Sequence, residues 1–287
     1  MYIRSLLRSV KRSLPPPALR FCERAVAVSQ SLRDRRLKQE VFGEKAQFVP
    51  PLYLMEDGAR DYKEFKQNGL DAFRRFRSAG LQPTDRVLDI GSGVGRKTLP
   101  LFEYMTTGSY EGLDPIRKQV RWCTERITPH YSNFRFQRID VWSKLYNPTG
   151  KVKPSDYKFP FPDAEFDFII MGSVFTHMFP HDVNHYVAEI SRVLKQGGHG
   201  WITFLLLNQE SLASISGARS SQNLVHEVEE GSRADNPNRF ETSIGHREEL
   251  VLEMFTKNNI DAKVVEYGSW CGRQCDYYQD IVEIAKE

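Results

Sequence analysis

Apolar residues recur with two different periods along this 287-residue chain, and the changes of period mark its elements. In the run DYKEFKQNGLDAFRRFRSAG, residues 61–80, Phe65, Leu70, Phe73 and Phe76 fall at mostly helical intervals, and Gly80 is a helix stop. Short strand-like and longer helix-like segments then alternate. Strands are expected over 86–90, 109–113, 134–139, 166–171 and 200–206, with helices over 97–105, 116–127 and 181–194. After residue 207 the pattern lapses. Residues 208–246 are polar and rich in Ser, Asn and Gly, too long for an idle connection, and read as a lid, an active-site insertion or a locally disordered loop. A helix over 247–257 and strands over 262–267 and 279–285 complete the pattern. Alternation at these lengths implies right-handed βαβ units, hence an α/β fold with a mostly parallel sheet covered by helices on both faces.

The first fourteen residues set Ile3, Leu6, Leu7, Val10 and Leu14 on one helical face and Arg4, Arg8, Lys11 and Arg12 largely on the other, until Pro15–Pro17 end the pattern. A basic amphipathic segment of this kind can lie on an anionic membrane surface, bind a partner or pack as a short terminal helix. It is also rich in Arg and Ser and poor in acids, as a mitochondrial presequence is; its interrupting arginines do not suit a secretory signal. Residues 1–40 hold ten Lys/Arg against three acids, net +7 in a chain whose total is +3, so the remainder is acidic at −4. The basic pI therefore belongs to an arm, and the body is not a nucleic-acid binder. With 40% hydrophobic and 27% charged residues the chain is an ordinary globular protein, and no apolar run approaches the ~20 residues of a membrane span. Four scattered cysteines, Cys22, Cys123, Cys271 and Cys275, make no disulfide framework and suit a reducing, cytoplasmic compartment. No His lies near Cys271 and Cys275 to complete a zinc site, and no metal is expected.

The stretch VLDIGSGVGR, 87–96, follows the first expected strand and poses a chemical choice. A dinucleotide fingerprint spaces its glycines Gly-x-Gly-x-x-Gly, whereas Gly91, Gly93 and Gly95 are spaced Gly-x-Gly-x-Gly. Asp89 stands at the carboxyl end of the strand, where the ligand of a doubly wound sheet sits. A carboxylate there opposes pyrophosphate and favours a ligand with cationic groups. S-adenosylmethionine, with a sulfonium and an ammonium and no phosphate, is such a ligand.

In that context VLDIGSGVG resembles motif I of the class I S-adenosylmethionine-dependent methyltransferases. The later segments YEGLDP, FRFQRID, FDFIIMGSVFTHM and ISRVLKQGGHGWITF are similar to that family in order, from Thr84 to about Leu207. The resemblance implies a Rossmann-like, doubly wound, seven-stranded sheet and S-adenosylmethionine as cofactor. It implies donor contacts from Asp89, Gly91, Ser92, Gly93 and Gly95, from Asp114 to the ribose hydroxyls, from Asp140 and Val141 near the adenine, and from Ser173. Asp114 and Asp140 also have plainer readings, as a helix cap before Pro115 and as a turn residue. The expected organisation is a basic helical extension over 1–45, a helical cap over 46–80, and a methyltransferase domain over 81–287 with the insertion at 208–246.

On the acceptor side, a hydroxyl must lose its proton near the transition state, and a positioned His supplies ~10²–10⁴-fold to such steps. His177, in SVFTHM after the fourth strand, is the first candidate base, and it also reads as a loop-orienting residue. His181 is the second catalytic candidate; His181 and His185, four apart on one helical face, have no acidic partner set for a metal. The Asn/Asp-Pro-Pro-aromatic clamp of enzymes that methylate base amino groups is replaced by MGSVFTH, which disfavours flipped-base chemistry. VRWCTERITPHYSNFRF, VWSKLYNPTGKVKPSDYKFPFPD, the 208–246 segment and GSWCGR are similar to a bacterial subgroup linked to surface-polysaccharide and glycolipid biosynthesis. That resemblance implies a small-molecule, sugar or glycolipid hydroxyl as acceptor, with Tyr146, Tyr157, Phe159, Phe161 and Trp270 able to stack on sugar faces and Arg273 able to meet an anionic group. A membrane contact through residues 1–14 would suit a lipid-linked glycan.

Overall fold

The structure is a computed structural model that describes residues 32–287, apart from 56–58 and 230. The amphipathic segment 1–14 and Cys22 lie outside the described residues. The chain divides into two units, Met1–Lys66 and Gln67–Glu287. In the first, a helix over 32–42 leads to short 3-10 turns at Gly43–Phe48 and Leu52–Leu54. The Phe42 ring meets Tyr62 and Phe65 edge-on, 6.4 Å from each. Helix α1, Tyr62–Ser78, runs through the unit boundary and stops before Gly80, whose φ of +102° ends the helix as its sequence foretells.

The second unit is built on strands β1 (Arg86–Ile90), β2 (Ser109–Asp114), β3 (Phe134–Arg138), β4 (Phe166–Met171) and β5 (Leu194–Phe204). Strands β6 (Leu206–Leu207), β7 (His226–Glu229), β8 (Ser232–Ala234), β9 (Ile244–Arg247), β10 (Asp261–Glu266) and β11 (Asp280–Ala285) follow. The seven-stranded sheet has the order β10–β11–β5–β4–β1–β2–β3. Its five strands from β5 to β3 pair in parallel, and β11 runs antiparallel to both β5 and β10. Strand order reverses between β1 and β4, so the crevice beyond their carboxyl ends is where a ligand of a doubly wound sheet binds. The fold class is the Rossmann-like α/β arrangement expected above.

Period-two alternation assigns the two faces of the sheet. Leu88, Ile90, Ile169, Met171, Ile202 and Phe204 form one core with Val183, Val187, Ile190 and Val193 of α4 (Pro180–Val193) and Val251 and Phe255 of α6 (Glu248–Lys257). Each of these fully buried aliphatic side chains contributes roughly 1.5–3 kcal/mol relative to exposure. The opposite face presents Phe168 and Trp201, which meet Phe76 of α1 at 6.3 and 5.1 Å between ring centres. Asp89 and Tyr110 turn to that face too. Helices α2 (Leu101–Tyr104), α3 (Arg117–Arg126) and α5 (Gln209–Ser216) complete the set.

Two expectations need correction. The helix over 97–105 is a 3-10 turn, Arg96–Thr98, followed by the single turn of α2, because Pro100 cannot donate the amide that would join them. Of the three readings of segment 208–246, only the disordered loop is corrected, because its described residues, all but 230, include secondary structure. The segment contains α5, whose start is closed by a capping box between Asn208 and Ser211, and strands of a second sheet, β6–β9–β8–β7. Strands of three or four residues, half of them polar, carry too little periodicity to register in sequence.

His246 on β9 joins that second sheet to the segment after β4. The side chain is fully buried, with Nε2 donating to the Phe175 carbonyl at 3.1 Å and Nδ1 accepting from Ser232 Oγ at 2.8 Å. Burial drives its pKa down to about 4 from an ordinary 6.5. Below pH 6.5 the unfolded chain binds a proton that the folded ring refuses, so stability falls as pH drops through this window, by up to about 3 kcal/mol. Urea unfolding at pH 7.5 and 4.5 of the parent and of His246→Gln checks this. The substitution should remove most of the loss, and an unchanged loss would contradict it.

Candidate active site

The loop after β1 is folded back onto the end of β2 by its own backbone. Gly91 N–H and Ser92 N–H both donate to the Leu113 carbonyl, at 2.8 and 3.1 Å. Gly93 N–H donates to Asp114 Oδ2 at 2.9 Å. Three left-handed residues, Gly91, Gly93 and Gly95, produce this curl, with φ of +77°, +57° and +75°. At Gly91 a side chain would also collide with Val174, so the loop and the segment after β4 touch only because position 91 has no Cβ. Gly112 on β2 serves the same approach, since Ser92 rests where its Cβ would be.

Asp89 is fully buried, and its carboxylate is consumed from within the protein. Lys97 Nζ lies 2.8 Å from Oδ1, and the Tyr110 hydroxyl donates to Oδ2. Lys97 Nζ also donates to the Gly91 carbonyl at 3.0 Å. The expectation that Asp89 offers a free negative charge to a cationic ligand is therefore corrected. Its charge holds Lys97, and Lys97 holds the loop.

Asp114, at the end of β2, is the second buried carboxylate beside the loop. Its two oxygens accept one amide each, from Gly93 and from Ile116 at 2.8 Å, and burial pushes its pKa up to about 6. The second amide bond is an Asx turn leading into α3, whose N-cap residue is Ile116. Asp140 lies beyond β3, partly exposed, near Arg138 and Asn147 at 3.3 and 3.4 Å. Val141 packs its side chain into the main core. Ser92 Oγ is buried without a hydrogen-bond partner. Ser173 holds a left-handed φ of +59°, unusual for a residue with a Cβ. Its amide donates to Thr203 Oγ1 at 2.8 Å and its hydroxyl to Gln279 Oε1 at 2.9 Å.

His177 ends the 3-10 turn Phe175–His177 that follows Ser173. Its Nδ1 lies 2.8 Å from the Glu241 carbonyl, an acceptor only, so Nδ1 carries the hydrogen and Nε2 carries the lone pair. The Tyr146 hydroxyl donates to Nε2 at 3.2 Å. Burial lowers the pKa of the ring, against the opposing pull of the Glu241 and Thr242 backbone, and keeps it neutral at neutral pH. A neutral imidazole oriented by a carbonyl has the form of a general base. His181 is set apart from this pair. Its ring is exposed, with Nδ1 2.7 Å from Glu229 and a stacking contact to Phe179. His185 donates to the Tyr157 carbonyl at 2.9 Å.

Tyr146, Asp140 and Ile116 share one groove of about 820 Å³ beyond the ends of β2 and β3. Of the other aromatics expected to meet a sugar, Phe159 and Trp270 are fully buried, and Tyr157 and Phe161 pack against the core. Arg273 is engaged by Glu210 at 2.8 Å and Asp280 at 3.3 Å. Burial within the core outcompetes ligand contact for these side chains.

With that geometry in place, comparison with known sequences is informative. Residues 88–202 match the methyltransferase domain family. The matched methyltransferase domain runs from β1 to β5 and includes the glycine loop, Asp114, Asp140, Ser173 and His177. The chain is 31% identical over 150 residues to the uncharacterized methyltransferase YcgJ of Bacillus subtilis, covering 52% of this chain and 50% of that protein. It is 29% identical over 119 residues to an uncharacterized methyltransferase of Schizosaccharomyces pombe, covering 42% of this chain and 39% of that one. The chain thus spans half or less of the length of these curated relatives. Among solved structures it is similar in fold to the PH0226 protein of Pyrococcus horikoshii, at 18% identity and a TM-score of 0.55, covering 86% of this chain and all of that one.

Lys97 and His246 escaped the sequence reading, as did the contact of Tyr146 with His177. Lys97 follows Asp89 by eight residues, immediately after the motif stretch, and that proximity was the available signal. Lys97→Met should leave Asp89 as an uncompensated buried charge and destabilise the chain by about 3–5 kcal/mol in urea unfolding. Adding Asp89→Asn should recover most of that loss; a single variant as stable as the parent would contradict the pairing.

Proposed function

We propose that the chain is an S-adenosylmethionine-dependent methyltransferase that methylates a hydroxyl of a sugar or small glycosidic acceptor. The carrying observation is the glycine loop hydrogen-bonded onto the end of β2, with the desolvated Asp114 beside it, inside the matched domain. When bound, S-adenosylmethionine supplies an electrophilic methyl group on a sulfonium. The residues fit such a donor. Each Asp114 oxygen gives one lone pair to an amide and keeps another for a ribose hydroxyl. Ser92 Oγ supplies a further polar group, and Asp140, Val141 and Ser173 border the same end of the sheet. Asp89 contributes from beneath, through Lys97.

Alignment of the acceptor oxygen supplies much of the rate in an in-line displacement. His177 is the base in this reading: the acceptor hydroxyl displaces Tyr146 from Nε2, which takes its proton, with Glu241 fixing the tautomer. His181, held by Glu229, stands apart from the His177–Tyr146 pair and is not given the proton transfer in this reading. The sugar or glycolipid class is supported by the resemblance of the inserted segments to polysaccharide-linked enzymes. The aromatic Tyr146 stands at the groove mouth, beside the base.

Calorimetry with S-adenosylhomocysteine from pH 5 to 7 tests the donor half. The ribose hydroxyls donate to the ionised carboxylate, so affinity should rise up to tenfold per pH unit below about 6 and level off above it. Asp114→Asn should bind roughly tenfold more weakly at pH 7 and lose this slope. Saturable binding of NAD, with none of S-adenosylhomocysteine, would overturn the reading.

No helix among the described residues is long and apolar enough to cross a membrane. We place the enzyme in the cytoplasm, with residues 1–14 as a peripheral contact to an anionic membrane surface. Sedimentation with anionic vesicles should be lost on deleting residues 1–17, and unchanged sedimentation would refute the contact.

A further inference from the structure

Four residues with side chains hold a left-handed backbone among the described residues, Ala164, Ser173, Ala218 and Asn259. Ala218 and Asn259 each follow the end of a helix, where this conformation is ordinary, and Ala164 lies in the turn that leads into β4. Ser173 is different. It stands two residues beyond β4, at the carboxyl end of the sheet, where a ligand of this fold binds. Glycine would hold a φ of +59° freely, whereas serine there needs support from its surroundings. That support is a closed set of three hydrogen bonds. The Ser173 amide donates to Thr203 Oγ1 at 2.8 Å, its hydroxyl donates to Gln279 Oε1 at 2.9 Å, and the Thr203 hydroxyl donates to the same Oε1 at 2.6 Å. Thr203 is fully buried on β5. Gln279 precedes Asp280, the first residue of β11, whose carboxylate accepts from the Leu206 and Gly268 amides and from Trp270 Nε1. Both partners of Ser173 thus stand on fixed supports.

We propose that Thr203 and Gln279 are positioning residues for methyl transfer: they hold the kink at Ser173 that sets the segment after β4 between donor and acceptor. This rests on the methyl-transfer reading above and adds two residues to it. The kink has a consequence on each side. Val174, next in the chain, fills the space where a Gly91 side chain would be, so the segment closes on the glycine loop. The 3-10 turn Phe175–His177 begins one residue further on, and it ends at the imidazole whose Nε2 is the base in that reading. Released to an extended or helical φ, Ser173 would swing Val174 off the loop and His177 off the Glu241 carbonyl together. A strained residue kept by bonds from β5 and from the start of β11 thus couples the two halves of the site.

Hydrogen exchange of the His177 and Met178 amides, which close the 3-10 turn on the Val174 and Phe175 carbonyls at 2.9 and 3.3 Å, tests the hold itself by NMR on the full chain. Gln279→Leu should speed both about tenfold or more, and Thr203→Val, which breaks the set from the buried side, should do the same. Adding Ser173→Gly to either variant should return most of the protection, because glycine keeps the kink unaided. Calorimetry with S-adenosylhomocysteine on the same proteins should show affinity about tenfold weaker in the single variants and largely recovered in the doubles. Exchange that both single variants leave unchanged overturns the proposal. So does a loss that Ser173→Gly fails to recover, since that is ordinary damage to packing. Exchange that rises and recovers while S-adenosylhomocysteine binds every variant as it binds the parent also overturns it, because the kink would then serve the fold and not the site. A parent chain that never binds S-adenosylhomocysteine refutes instead the methyl-transfer reading, whatever the exchange shows.

Discussion

One buried ion pair sets the geometry of the site. Asp89 and Lys97 lie beneath the glycine loop, and a lone carboxylate at that depth would be strongly destabilising. Asp89 Oδ1 meets Lys97 as an ion pair without a hydrogen bond, and two further contacts support the pair. Tyr110 donates to the second carboxylate oxygen, and Lys97 spends a hydrogen on the Gly91 carbonyl. The electrostatics thus act inward, pinning a loop whose amides curl onto β2 and deliver the Gly93 N–H to Asp114. The second buried carboxylate of the site is Asp114, and burial leaves its protonation responsive to pH.

The surroundings of His177 are assembled from insertions. His177 stands on the extension of β4, yet its tautomer is fixed by Glu241 and its lone pair is met by Tyr146, each from a different inserted segment. His246 ties the second sheet to the Phe175 carbonyl two residues before His177. In the proposed reading the parallel sheet supplies the donor end, and additions to it decide what meets His177. This division is typical of folds that host many chemistries on one scaffold.

How much of this was legible in sequence follows from the range of each interaction. The sheet strands were readable because burial on both faces leaves continuous apolar runs, as in FDFIIM and VLDI. Gly91, Gly93 and Gly95 were readable because left-handed backbone leaves glycine as its trace. Asp89 was assigned a charge that faces the ligand, because a strand-end carboxylate shows its position and conceals its partner. The helix over 97–105 failed on Pro100, and the 208–246 sheet on strands too short to show a period. Tyr146 sits 31 residues from His177, and no local pattern announces a contact of that separation.

The central claim is that the curled loop and the Asp114 carboxylate together form a donor site. The most direct measurement is a crystal structure of the full chain grown with S-adenosylhomocysteine. The account predicts its ribose hydroxyls on Asp114, its backbone along the Gly91–Gly95 loop, and the Asp89–Lys97 pair unbroken below. A ligand bound elsewhere, or an Asp114 side chain turned away from it, would contradict the account.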